Sequence, residues 1–130
     1  MDLYPHASDG SSHERSFLRK WCEKQEKAAR KAEVSVRVSG EAFRDQMTCA
    51  GFVDVTVRKI DIPISDWPDD SKMKELGRLQ LKAFLSDPQG WTMRFWTRYL
   101  HMDRESVELF LIDLRKELKR TGVFTYHWPL

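Results

Sequence analysis

Glycine is scarce in this sequence and never clustered: the six residues stand alone at 10, 40, 51, 77, 90 and 122. No G-x-G-x-x-G or related turn can be formed from them, which removes the loop that would cradle a nucleotide's phosphates. Cysteine is scarcer still. Cys22 and Cys49 lie too far apart for metal-type spacing, so ordinary thiols in a reducing, cytoplasmic setting are expected. No apolar run approaches the roughly 18 residues of a membrane span. No charged-then-apolar leader is seen, so a secretory route is not expected. There is no H-E-x-x-H and no Ser/His/Asp order, and His13, His101 and His127 are scattered. Neither sign of charge dominates. Lys and Arg number 22 against 20 Asp and Glu, and a net charge of +2 argues against a dedicated nucleic-acid binder.

Aromatic residues, in contrast, are plentiful, with five Trp and seven Phe in 130 residues. Most must be core, but together they suffice to wall an apolar pocket. The length suits one domain able to bury roughly two-thirds of its unfolded surface. Residues 1–13 are polar and read as a flexible arm, leaving residues 14–130 as the folded unit. Ser12 or Ser16 caps a first helix reaching about Ala32, charged beyond Phe17, Leu18, Trp21 and Cys22 and therefore expected to show a solvated outer face. Val34, Val36 and Val38 alternate briefly, as a short edge strand or an extended link. Ser39 caps a helix over 40–50, with Phe43, Met47 and Ala50 inward.

Gly51 then stops that helix at little conformational cost. Val53, Val55 and Val57 alternate with Asp54, Thr56 and Arg58, the period of a two-faced strand, and Pro63 and Pro68 are expected to end it. Asp69, Asp70 or Ser71 caps a third helix, where Gly77 costs about 1 kcal/mol against Ala unless close packing offsets it. Asp87-Pro88-Gln89-Gly90 signals a turn. Residues 91–102 are apolar nearly all round, with Arg94 and Arg98 set among them. Asp103 caps a last long helix over 104–120, and Val123–Trp128 is a final strand candidate.

AGFVDV, IPISDWPDD, KELG, WTRYLHMDRESVELFLIDLRKEL and the terminal FTYHW occur in this order. Over roughly residues 15–128 this pattern resembles the C-terminal, substrate-capping half of the LaeA-like fungal methyltransferases, a class I S-adenosylmethionine-dependent family of secondary metabolism. The resemblance implies an α+β, mostly helical fold, with four to five helices around a small antiparallel two-stranded ribbon. Residues 52–60 would be the sixth strand of a methyltransferase sheet, 123–128 the seventh, and 71–99 the cap over the substrate side. The family's cofactor site would lie in the half that has no counterpart here, so no cofactor and no cofactor-binding residue is assigned.

A two-stranded ribbon is marginal in water, and the lost neighbour leaves one edge unpaired and one face bare. A homodimer, a methyltransferase partner or repacked helices would each repair this, and the homodimer is favoured. A cap kept without its cofactor half suits a hydrophobic small molecule. The favoured function is therefore a cofactor-independent cyclase or isomerase of Diels–Alder type in fungal natural-product biosynthesis. Trp21, Trp91, Phe95, Tyr99 and Arg94 would hold the guest, and Arg98, His101 and Tyr126 would donate hydrogen bonds. Arg98 has a structural alternative, a salt bridge to Glu105 or Asp103. The alternative function is a non-catalytic pseudo-methyltransferase that binds a full-length methyltransferase or regulator. Neither nucleic acid nor membrane is expected as a partner, and no metal site is expected.

Overall fold

The computed structural model describes residues 6–7, 16–36, 39–120 and 126–129. Three helices form the core: α1 (Phe17–Lys31), α4 (Pro88–Tyr99) and α5 (Arg104–Leu118), each packed on the other two. Helix α1 shows the expected solvated outer face, with Lys20, Glu23, Lys27, Arg30 and Lys31 exposed, but its other face is buried along its length. Leu18, Trp21, Cys22, Gln25, Ala28 and Ala29 recur at three- and four-residue intervals and are all buried. The two alanines and the glutamine lengthen the apolar stripe by two turns, and the small alanine side chains allow close approach. Leu111, Leu114, Val107 and Leu118 supply the facing stripe of α5.

The start of α1 is satisfied from the other end of the chain. Ser16 caps it, and the Glu117 carboxylate of α5 accepts from Ser16 Oγ (2.7 Å), Phe17 N–H (2.7 Å) and Leu18 N–H (3.0 Å). A carboxylate here meets both the unpaired first-turn donors and the positive end of the helix. Asp103 caps α5 as expected, its oxygens accepting from Ser106 N–H (2.8 Å) and Ser106 Oγ (2.6 Å). The Asp87–Gly90 turn is also the start of α4. Pro88 occupies the first helical position, where its missing N–H costs nothing, and Asp87 Oδ1 accepts from Gly90 N–H at 2.8 Å.

The second layer joins α3 (Ser71–Ser86) to a small antiparallel sheet of β1 (His6–Ala7), β2 (Asp61–Ile64) and β3 (Tyr126–Pro129), in the order β1-β3-β2. The fold is thus mostly helical α+β, and its ribbon gains a short third strand from within the segment expected to be a free arm. The rest of that arm, Val38 and Val123–Thr125 lie outside the described residues. The strand expected over 52–60 is displaced. The ladder runs from Asp61↔Pro129 to Ile64↔Tyr126 and includes Pro63↔His127. Proline is tolerated because β2 is an edge strand. β3 pairs with 61–64, and among the described residues the valine-rich run before them lies in no ladder.

Gly77 shows why α3 tolerates a mid-helix glycine. A Cβ there would overlap the Ser65 carbonyl oxygen and sit 2.9 Å from the Ser65 carbonyl carbon. Ser65 N–H in turn donates to the Gly77 carbonyl at 3.1 Å. The expected close neighbour is therefore backbone, the loop leaving β2.

Helix α2 (Gly40–Cys49) begins at its Ser39 cap and ends as expected, with Gly51 left-handed at φ 96° and Phe52 N–H returning to the Met47 carbonyl. Its packing is not as expected. None of its residues is buried, and Phe43 and Met47 are exposed rather than inward. The sequence period marks an apolar face without saying what covers it, and the returning chain meets this helix through Val57 against Gly40.

Candidate functional site

The aromatic helix α4 was the expected centre of a site, and its residues divide between core and surface. Trp21 of α1 lies beneath it at 1% exposure, with Nε1–H donating to Thr92 Oγ1 at 2.8 Å and its ring edge-on to Phe84, centroids 5.1 Å apart. Trp96 is fully buried, edge-on to Phe110 at 4.9 Å. Trp21 is thus a core residue with its polar atom satisfied, not a pocket wall. Trp91 turns the other way and is 61% exposed, while its carbonyl accepts from Gln25 Nε2 at 2.6 Å.

Arg98, Tyr99 and Phe95 do come together. The Arg98 guanidinium lies 5.6 Å from the Tyr99 ring centroid, and the Tyr99 and Phe95 rings are 5.7 Å apart. Among the described residues Arg98 has no ion pair, so neither Glu105 nor Asp103 holds it. Arg94 is exposed on the outer side of the same helix. His101 is also exposed and has a structural task. At φ 55° it takes the left-handed position that ends α4, and Met102 N–H returns to the Trp96 carbonyl at 3.2 Å. Tyr126 lies in β3 opposite Ile64, and its side chain lies outside the described residues. Two residues after His101, Asp103 holds its proton less tightly than an ordinary aspartate. The Ser106 hydroxyl, then the Ser106 N–H, stabilise its charged form.

The second candidate is the segment from α2 through residue 60. Phe43, Met47, Phe52, Val53, Val57 and Ile60 are all exposed, Val53 by 84% and Phe52 by 58%. Single exposed apolar residues are unremarkable, but here six fall on one excursion. Its sequence signal was the alternation of Val53, Val55 and Val57. Among the described residues no helix is long and apolar enough to cross a membrane. No group of three or more His, Cys, Asp or Glu there could hold a metal ion.

Comparison with known proteins extends over most of the chain. It is 30% identical over 121 residues to the secondary metabolism regulator LAE1 of Hypocrea atroviridis, covering 92% of this chain and 34% of that protein. To the LAE1 regulator of Cochliobolus heterostrophus it is 26% identical over 128 residues, 98% of this chain and 41% of the relative. To the probable methyltransferase tdiE of Emericella nidulans it is 27% identical over 124 residues, 95% of this chain and 38% of the relative. The chain therefore spans about two fifths or less of the length of these curated relatives. No protein-family profile matches it. No solved structure matches it either.

Proposed function

We propose that this chain, a homologue of the LaeA-like fungal methyltransferases over most of its own length, acts in natural-product metabolism through assembly with another polypeptide. It is methyltransferase-like, and its relatives are methyltransferases and regulators of secondary metabolism. The observation that carries the proposal is the excursion over residues 39–60: a helix with no buried residue, followed by a run with exposed Phe52, Val53, Val57 and Ile60. In a methyltransferase-like sheet such a run would have a neighbouring strand, and the hydrophobic effect favours covering it again. The expected role is that of a non-catalytic subunit whose covered form is the working one.

Hydrogen exchange tests this. The amides of residues 52–60 should exchange freely in dilute protein. They should become protected at high concentration or when the remaining two thirds of a full-length relative, such as LAE1 of Hypocrea atroviridis, is added. Free exchange under all three conditions would refute the assembly role.

A second function, the cofactor-independent cyclase or isomerase, is favoured by one observation: the Arg98–Tyr99–Phe95 group sets a cationic donor beside two partly exposed rings. Such a group suits a flat unsaturated guest with a carbonyl to polarise. Its test is conversion of a linear polyene intermediate by pure protein without S-adenosylmethionine. A rate unchanged by Arg98→Ala would remove this group from any such activity.

A further inference from the structure

We propose that the partner covering residues 52–60 is a second copy of this chain, paired antiparallel about a two-fold axis through Thr56. This rests on the assembly role above and names its occupant. Among the described residues, residues 53–59 make no backbone hydrogen bond to another segment, although they lead directly into β2. Their donors and acceptors are available for a ladder.

The sequence of the run selects the register. With Thr56 opposite its own copy, Asp54 faces Arg58 of the second copy and Arg58 faces its Asp54. Val55 then meets Val57, and Phe52 meets Ile60, on both sides of the axis. Val53 faces Lys59 in this register, and sliding the strands by one residue sets Asp54 against Val57 and Val53 against Arg58, which loses both ionic pairs. Within one chain neither Asp54 nor Arg58 has an ion-pair partner among the described residues. Asp54 also sits at φ 56°, a left-handed conformation that breaks the extended run and that ladder formation would replace. The exposed Phe52, Val53, Val57 and Ile60 would gain cover in the same step. An isologous contact of this kind closes on itself as a dimer.

The full chain is tested by light scattering and by cysteine cross-linking. The wild type should be a concentration-dependent dimer. Asp54→Arg should weaken it on the order of tenfold by opposing like charges twice, and the swap Asp54→Arg with Arg58→Asp should restore it. In a Cys49→Ser background, Thr56→Cys should form a dimer disulfide readily under mild oxidation. Val55→Cys should not, since residues at the axis are about 5 Å apart and diagonal ones about 7–8 Å. Far-UV circular dichroism of each variant separates lost pairing from lost folding. A dimer indifferent to Asp54→Arg and not cross-linked through Thr56→Cys overturns the proposal. So does a monomer whose 52–60 amides are protected only by part of a methyltransferase, an outcome that leaves the assembly role standing. A monomer with these amides unprotected under every condition defeats both.

Discussion

Replacing Gly77 with alanine sets two effects of opposite sign against each other. In an open helix the change stabilises by about 1 kcal/mol, because glycine is the poorer helix former. Here the added methyl group would overlap the Ser65 carbonyl oxygen, lie 2.9 Å from the carbonyl carbon and reach 3.4 Å from Pro63 Cγ. The first two neighbours are backbone and cannot rotate away. Either α3 or the loop after β2 must shift, at a cost of about 1–3 kcal/mol for overpacking. The shift also endangers the Ser65 N–H to Gly77 carbonyl bond of 3.1 Å, worth about 1 kcal/mol. Packing and hydrogen-bond losses together outweigh the propensity gain, and a net loss of about 2 kcal/mol is expected. For a domain of this size that lowers the melting temperature by about 8 °C. Thermal melts followed by far-UV circular dichroism, with urea midpoints at unchanged slope, provide the assay. A Gly77→Ala variant that melts at or above the wild-type temperature would refute the argument, since α3 would then have room at this position.

Glu117→Ala should cost about 2–3 kcal/mol by stripping the start of α1 of three hydrogen-bond acceptances, read as a lowered urea midpoint. Trp21→Phe should cost a similar amount, about 2–3 kcal/mol, by leaving the buried Thr92 hydroxyl unpaired and the core underfilled. Adding Thr92→Val should recover part of that loss in a double-mutant cycle. The lowered Asp103 pKa makes its stabilising share fully present above the ordinary value of 3.8 and lost as the pH falls through the lower folded value. Ser106→Ala should move the Asp103 carboxyl titration, followed by NMR, back toward the ordinary value, and an unmoved titration would exclude the hydroxyl as cause.

Much of the helical frame is visible in the sequence because caps are local chemistry. Ser16, Ser39, Asp70 and Asp103 each accept from a backbone N–H three residues on, an arrangement set by a few neighbouring residues. The mid-helix glycine also announced a close neighbour, though not that the neighbour was the Ser65 backbone. The aromatic helix was harder to divide. Trp91 and Trp96 are the same residue type five positions apart, and only the placement of α1 and α5 decides which one is buried. The valine run shows the limit most clearly. Alternation reports two unlike faces, but pairing depends on the register that β3 takes, and β3 lies more than sixty residues away along the chain.

The Glu117 cap joins residues about a hundred positions apart in the chain. During synthesis α1 leaves the ribosome before α4 and α5, so its apolar stripe must wait for both helices before it is fully buried. Such distant closure slows folding relative to a bundle of sequential neighbours. A chain stalled before residue 117 would therefore leave the apolar stripe of α1 without its α5 cover for as long as the stall lasts.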